Sequence, residues 1–320
     1  MQLLDNNLPH IEITNDIGDT IFHVLEEDMI NAVNAALAIN RPLLIWGEPG
    51  IGKSQLAKAV AKQLKRPFLH FVADAKTEAR DLLWQFDAVA RLAEAQILKD
   101  ASNREALAVK NFIMPSVLWW ALNWESAKER AIACKRQEPI SKECDINNGA
   151  VVLIDEIDKA DSDVPNGLLE ALGAHRFQPQ GLDEVVECTG AKPLVMITTN
   201  EERALPDAFV RRCLSLHLHF PESETDQIAF LVKRAQSNAK FYPRLNDSIF
   251  QKAAEDLVTD RQFAKSNHLS PLPGQAEYFD VLRGLQRLSE KTKTTGKALE
   301  EYLEQLRKYT YRKHTGFHRK

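Results

Sequence analysis

Gly47, Gly52, Lys53 and Ser54 complete the pattern Gly-x-x-x-x-Gly-Lys-Ser within the stretch LLIWGEPGIGKSQLA. Residues of these types at this spacing suit the binding of a polyphosphate. Glycines let consecutive backbone N–H groups converge on phosphate oxygens, where side chains would block the approach or forbid the backbone angles. The run Gly47, Glu48, Pro49, Gly50, Ile51, Gly52, Lys53, Ser54 and Gln55 is therefore a candidate nucleotide cradle. Lys53 has the reach for the β- and γ-phosphates, and the Ser54 hydroxyl can ligate Mg2+. Lys53 is expected to be solvent-accessible, so that its removal leaves no core cavity. The plainer alternative is a glycine-rich turn capped by Ser54.

A second group is acidic. In AVVLIDEIDKAD, four apolar residues deliver Asp155 and Glu156 to the end of a strand, where ligands bind in open α/β sheets. Asp155 is suited to hold Mg2+ through its water shell, and Glu156 to orient and deprotonate an attacking water. The alternative is an acidic turn closing a core strand. In LVMITTNEE, Asn200 follows another apolar run; its amide could contact the γ-phosphate or the lytic water, or simply form a turn. Arg211 and Arg212, in LPDAFVRRCLSLHLHF, are candidates to act on a phosphoryl group from a neighbouring subunit. They could equally stabilise a helix C-terminus.

These groups need a scaffold, and the pattern supplies one. Five strand-length apolar runs span Leu43–Trp46, Phe68–Val72, Ala150–Ile154, Leu194–Thr198 and Leu214–Phe220. The first four are nearly continuous in apolar character, as strands covered on both faces are. The fifth alternates Leu214, Leu216 and Leu218 with polar residues, which suits an edge. Helical segments between them predict an α/β fold with a five-stranded parallel sheet. Before it come an extended piece around Ile11–Ile13 and a helix from about Leu25 to Ile39. After Pro221 the strands stop and four helical patterns follow, predicting a nucleotide-binding core over 1–220 and a small all-α lid over 221–320.

Composition narrows the field further. At 320 residues and 44% hydrophobic content the chain can bury a real core. A net charge of −4 gives no global signature of a nucleic-acid binder. Cys134, Cys144, Cys188 and Cys213 form no Cys-x-x-Cys or Cys/His cluster, so a reduced, cytoplasmic setting without a structural metal is expected. No apolar run reaches the ~20 residues of a membrane helix. The basic end YRKHTGFHRK reads as a frayed tail, with use by a partner as the alternative.

Together the motifs resemble the AAA+ ATPases and, within them, the MoxR-like group, over roughly Phe22 to Leu288. The anchors are the Walker A loop GEPGIGKS, the Walker B strand VVLIDEID, sensor 1 at Asn200 and the finger region PDAFVRRC. TEARDLLWQFDA, IMPSVLWWALNWESA and IDKADSDVPNGLLEAL add to the narrower likeness. The resemblance implies ATP and Mg2+ as cofactors, a ring of identical subunits read as a hexamer, and a protein client such as a von Willebrand factor A-domain protein. It implies a helix-2-type insertion around residues 76–148, with an extra helical segment near Ser116–Arg136. Trp119, Trp120 and Trp124 in that segment are either core or a partner-facing surface. One departure stands out: where the family places its sensor 2 arginine, this chain has Gly274 and Gln275. The rival readings are a motor in a nucleic-acid-processing or defence complex, and a nucleotide-gated module that does not hydrolyse.

Overall fold

Strands β1 (Leu43–Gly47), β2 (Phe68–Val72), β3 (Val151–Asp155), β4 (Leu194–Thr199) and β5 (Leu214–Leu218) form one parallel sheet in the order β5-β1-β4-β3-β2. The computed structural model describes residues 2–5, 10–14, 18–97, 105–139, 144–292 and 297–314. Strands β2, β3 and β4 follow one another in both sequence and space, whereas β1 lies between β4 and β5, and crossover connections join the strands, as parallel pairing requires. Val151–Ile154 of β3 lie in register with Leu194–Ile197 of β4, and Met196–Thr199 of β4 with Leu43–Trp46 of β1. The carboxyl ends of β1, β4 and β3 therefore lie along one edge of the sheet. Every residue of β4 is buried, as are the first four of β3. Strand β5 alternates exposed and buried residues at one edge, as its sequence pattern predicts.

The chain folds into two compact units: residues 1–7, 26–46 and 56–217, and residues 8–25, 47–55 and 218–320. The first unit holds most of the sheet. Its helices include α1 (Glu27–Ile39), most of α2 (Lys53–Gln63), α3 (Val117–Leu122), α4 (Trp124–Ala133) and the short α5 (Asp207–Val210). Helix α1 buries Met29, Ile30, Val33, Ala36 and Leu37, a 3.6-period stripe, and ends on Asn40 in the left-handed region. The tryptophans belong to the core. Trp119 is 1% and Trp120 6% exposed, Trp124 packs against the same cluster, and Trp119 Nε1–H donates to Ser126 Oγ at 2.8 Å. Within the expected insertion, Trp84–Phe86 pairs antiparallel with Ile113–Pro115; residues 98–104 and 140–143 lie outside the described residues.

The second unit gathers an N-terminal hairpin (His10–Thr14 with Thr20–Val24), the glycine-rich loop and the helices α6 (Glu224–Ser237), α7 (Asp247–Ser266), α8 (Gln275–Thr292) and α9 (Lys297–Thr310). Asn238 ties the hairpin to the helices from both directions. Its Oδ1 accepts from Phe22 N–H at 2.7 Å and its Nδ2 donates to Phe22 O at 3.0 Å. Side-chain caps fix two helix starts: Ser223 accepts from Asp226 N–H, and Asn246 from Ile249 N–H. Arg307 of α9 is clamped by Asp256 and Asp260 of α7. Among the described residues no helix is long and apolar enough to cross a membrane, and no disulfide joins the cysteines. The last six residues of the basic tail, 315–320, lie outside the described residues.

Candidate functional site

The glycine-rich loop leaves the carboxyl end of β1 and runs into α2. Two of its glycines are required by conformation. Gly50 has φ of 78° and Gly52 a φ of 106°, a region that L side chains rarely adopt. A Cβ on Gly50 would also sit 2.7 Å from the Ala276 Cβ at the start of α8. Lys53 departs from the sequence expectation. It is 6% exposed rather than accessible, and its Nζ donates to the carbonyls of Gly47 at 2.5 Å and Glu48 at 3.2 Å. The stem folds back along the curl of the loop, whose own carbonyls cap the ammonium, so the buried charge is hydrogen-bonded. Glu48 in turn is held by Arg261 of α7. One guanidinium nitrogen lies 2.7 Å from each carboxylate oxygen, and another donates to Pro273 O at 2.9 Å. Arg261 is 8% exposed and lies over the Phe220 ring. Nothing in its sequence context singles it out.

The acidic end of β3 belongs to the first unit. Thr198 of β4 donates its hydroxyl to Asp155 Oδ1 and accepts from Glu156 N–H at 2.8 Å. His70 Nε2 lies 3.4 Å from the other Asp155 oxygen. Glu156 has φ of 58°, uncommon for a residue with a side chain and often found at functional sites. This left-handed turn breaks the strand. The Glu156 carboxylate accepts from Asn200 Nδ2 at 3.2 Å and pairs with Lys159 Nζ at 2.7 Å. That pairing, with the glutamate's charge, raises the Lys159 pKa above its ordinary value.

Asn200 is itself positioned. Asp158, 2% exposed, accepts the backbone N–H of Asn200 at 3.2 Å and of Glu202 at 2.9 Å. Sequence reading passes over Asp158, Lys159 and Thr198. The signal is the acid-acid-x-acid-base run Asp155–Lys159 itself, which reads as a solvated turn until β4 is placed beside it.

Arg211 caps α5 and Arg212 follows it. Arg212 is exposed, donates to Ala208 O at 3.3 Å, and lines a cavity with Arg41, His175, Lys192 and Phe209. The carbonyl contact is a helix-terminal one. Four cationic or titratable nitrogen groups around one cavity also concentrate positive charge there. Burial and Lys192 both lower the His175 pKa.

A family model described as the AAA domain, dynein-related subfamily, matches residues 42–213, more than half of the chain. That span runs from β1 through the acidic end of β3 and Asn200 to the arginine pair. No curated protein matches the chain in sequence. Among solved structures, a RuvB point mutant from Thermotoga maritima is 14% identical with a TM-score of 0.47. That match covers 88% of this chain and 68% of the other. A protein of Cytophaga hutchinsonii assigned as an ATPase is 13% identical, with a TM-score of 0.38 and coverage of 88% and 79%.

Proposed function

Because the chain belongs to the dynein-related subfamily of AAA domains and is a P-loop ATPase, we propose that it is a MoxR-like ring ATPase. Its hydrolysis of ATP remodels or activates a protein client, a von Willebrand factor A-domain protein. One observation carries the hydrolytic part. The Glu156 carboxylate is held between the Asn200 amide and the Lys159 ammonium at the carboxyl ends of adjacent parallel strands. A carboxylate in that setting can take a proton from water while the amide contacts the reacting phosphoryl oxygens.

The backbone of Gly47–Gly52 and Lys53 would hold the phosphates, with Glu48, Pro49, Ile51 and Gln55 shaping the cradle. Asp155 and Ser54 are the residues that would hold Mg2+. Both offer hard oxygen donors, which fit that ion. Bound there, Mg2+ would neutralise charge on the phosphates. Residues 1–220 would serve as the nucleotide-binding core, with the insertion around 76–148, and 221–320 as the lid. Arg212, supported by Arg211, would serve a neighbouring subunit, its exposure and the nearby Arg41 and Lys192 favouring an anionic partner.

The test is to load Glu156→Gln protein with ATP and Mg2+ and identify what remains bound. A von Willebrand A-domain protein held by this variant and released by ADP is the expected outcome. ATPase activity that DNA or RNA stimulates in a salt-dependent way, with no protein retained, would overturn the client reading.

A further inference from the structure

The ion pair between Glu48 and Arg261 joins the glycine-rich loop to helix α7 within the second unit. Its two halves differ in freedom. The Arg261 side chain is 8% exposed and engaged on three sides. One guanidinium nitrogen donates to Pro273 O, another lies 2.7 Å from each Glu48 carboxylate oxygen, and the group sits 4.6 Å from the centre of the Phe220 ring. A planar fork held at both ends and across one face has little room to turn. The Glu48 side chain is 50% exposed and belongs to a loop with glycines at 47, 50 and 52, residues that give a backbone its widest freedom. The rigid partner is α7, and the loop is what it holds.

Holding Glu48 has a consequence for Lys53. The residue that offers its carboxylate to Arg261 also offers its backbone carbonyl, together with that of Gly47, to the Lys53 ammonium. Fixing the Glu48 side chain therefore fixes the curl on which those carbonyls lie. The space beside Gly50 is closed from the same unit by Ala276, whose Cβ would be 2.7 Å from a Cβ added to the glycine. Phosphates would bind this loop through converging backbone N–H groups. A loop already held in its curled form gives up less conformational entropy when they arrive.

We propose that Arg261 is a positioning residue for phosphate binding: through Glu48 it keeps the loop in its curled, phosphate-ready form without touching the nucleotide. The proposal rests on the phosphate-binding role of the loop stated above. It carries a sign that a direct electrostatic role does not share. Removing a cation near a polyphosphate weakens the attraction, whereas removing an anion there strengthens it. When the pair acts by holding the loop, losing either partner frees the loop. Glu48, a carboxylate in the wall of an anion site, then helps the anion to bind.

Calorimetric titration of the full chain with ATP and Mg2+ reads this sign. Arg261→Gln and Glu48→Ala should each weaken ATP by about 10-fold, and the double variant should bind no more weakly than the worse single, as for two residues acting through one contact. Backbone amide exchange over residues 47–53, measured without nucleotide, should quicken in both single variants. Tighter or unchanged ATP binding by Glu48→Ala overturns the proposal, as do losses that add in the double variant or loop exchange that stays at the wild-type rate. Should Arg261→Gln fail to fold at its buried position, Glu48→Ala at the half-exposed one decides alone, by the direction of its change. Lys53→Ala separates this proposal from the reading beneath it. If Lys53→Ala abolishes ATP binding while Glu48→Ala leaves it intact, the loop assignment stands and the positioning role falls; if neither variant changes the affinity, both fall.

Discussion

The phosphate loop takes its shape from one uninterrupted stretch, Gly47 to Gln55, whereas the acidic strand end is assembled from His70, the turn Asp155–Lys159 and the run Thr198–Glu202. In the loop, the ammonium of Lys53 is capped by carbonyls five and six residues earlier. At the strand end, the partners of Glu156 and Asp155 include residues more than forty positions away. The first arrangement is local and follows from residue type. The second exists only when β3 and β4 hold their register, because sliding a strand by one residue turns each side chain to the opposite face. A change in the loop should therefore remove one function cleanly, and changes at the strand end should be coupled.

The largest expected effect is on the local side. Lys53→Ala should abolish detectable nucleotide binding in calorimetry. Because Lys53 is buried and bonded, the substitution should also lower stability, by about 1–2 kcal/mol for the lost hydrogen bonds to two carbonyls. A thermal melt measures that separately. Unchanged ATP affinity would break the loop half of the comparison.

Arg212 tests whether a further contributor comes from another subunit. Arg212→Ala should lower kcat by ~10³–10⁵-fold, the range of arginines donated to a transferring phosphoryl group, with ATP binding intact. Arg212→Ala subunits keep a sound loop and Lys53→Ala subunits keep a sound arginine. Mixing the two inactive proteins should restore ATPase activity where the good halves meet. No rescue in demonstrably mixed oligomers would leave Arg212 as a cap on α5, the role its contact with Ala208 O already permits.

The coupled side predicts smaller, linked losses. Glu156→Gln should bind ATP normally and turn over ~10²–10⁴-fold more slowly. Asn200→Ala should lower kcat more than affinity, and its effect should shrink when made on top of Glu156→Gln, since the two side chains touch. Full additivity in that double-mutant cycle would mean that the 3.2 Å contact has no kinetic consequence.

The same contrast explains what can be read in advance. The five strands are legible as short apolar runs, four nearly continuous and one alternating, the four C-terminal helices as longer runs of helical periodicity, and the loop because its glycines and lysine fall within one short stretch. The strand Thr20–Val24 is not, since TIFHV grades from exposed to buried without alternation. The burial of Lys53 is hidden because residue type points a lysine to solvent, while the curl of the loop supplies carbonyls that sequence does not display. Asp158 looks like one more surface acid; only the placement of β4 makes it the acceptor that orients Asn200. Arg261 and Gln275 are hidden for the same reason, each acquiring its meaning from a loop more than two hundred residues earlier.

The smallest expected effect concerns stability, and it probes a residue beside the local half. Burial, reinforced by the charge of Arg234, lowers the His23 pKa from 6.5 to about 4, against the opposing hydrogen bond to Gln55. The other titratable groups lining its cavity are Arg283 and Tyr242. A second cation favours the neutral ring further, and burial raises the tyrosine to about 12, so it stays uncharged here. The native ring thus remains neutral between pH 6.5 and 4, whereas an unfolded chain takes up a proton over that interval. Proton uptake by the unfolded state favours unfolding, so this contribution is fully present above pH 6.5. It falls by about 1.4 kcal/mol per pH unit toward pH 4, to a total of roughly 3 kcal/mol, and is constant below. Other groups titrate in the same range, so the informative quantity is a difference. Urea unfolding of wild type and His23→Phe, without nucleotide, should show the variant gaining on the wild type as pH drops from 6.5 to 4. A stability gap that stays flat across the window would mean that the ring is protonated in the folded chain.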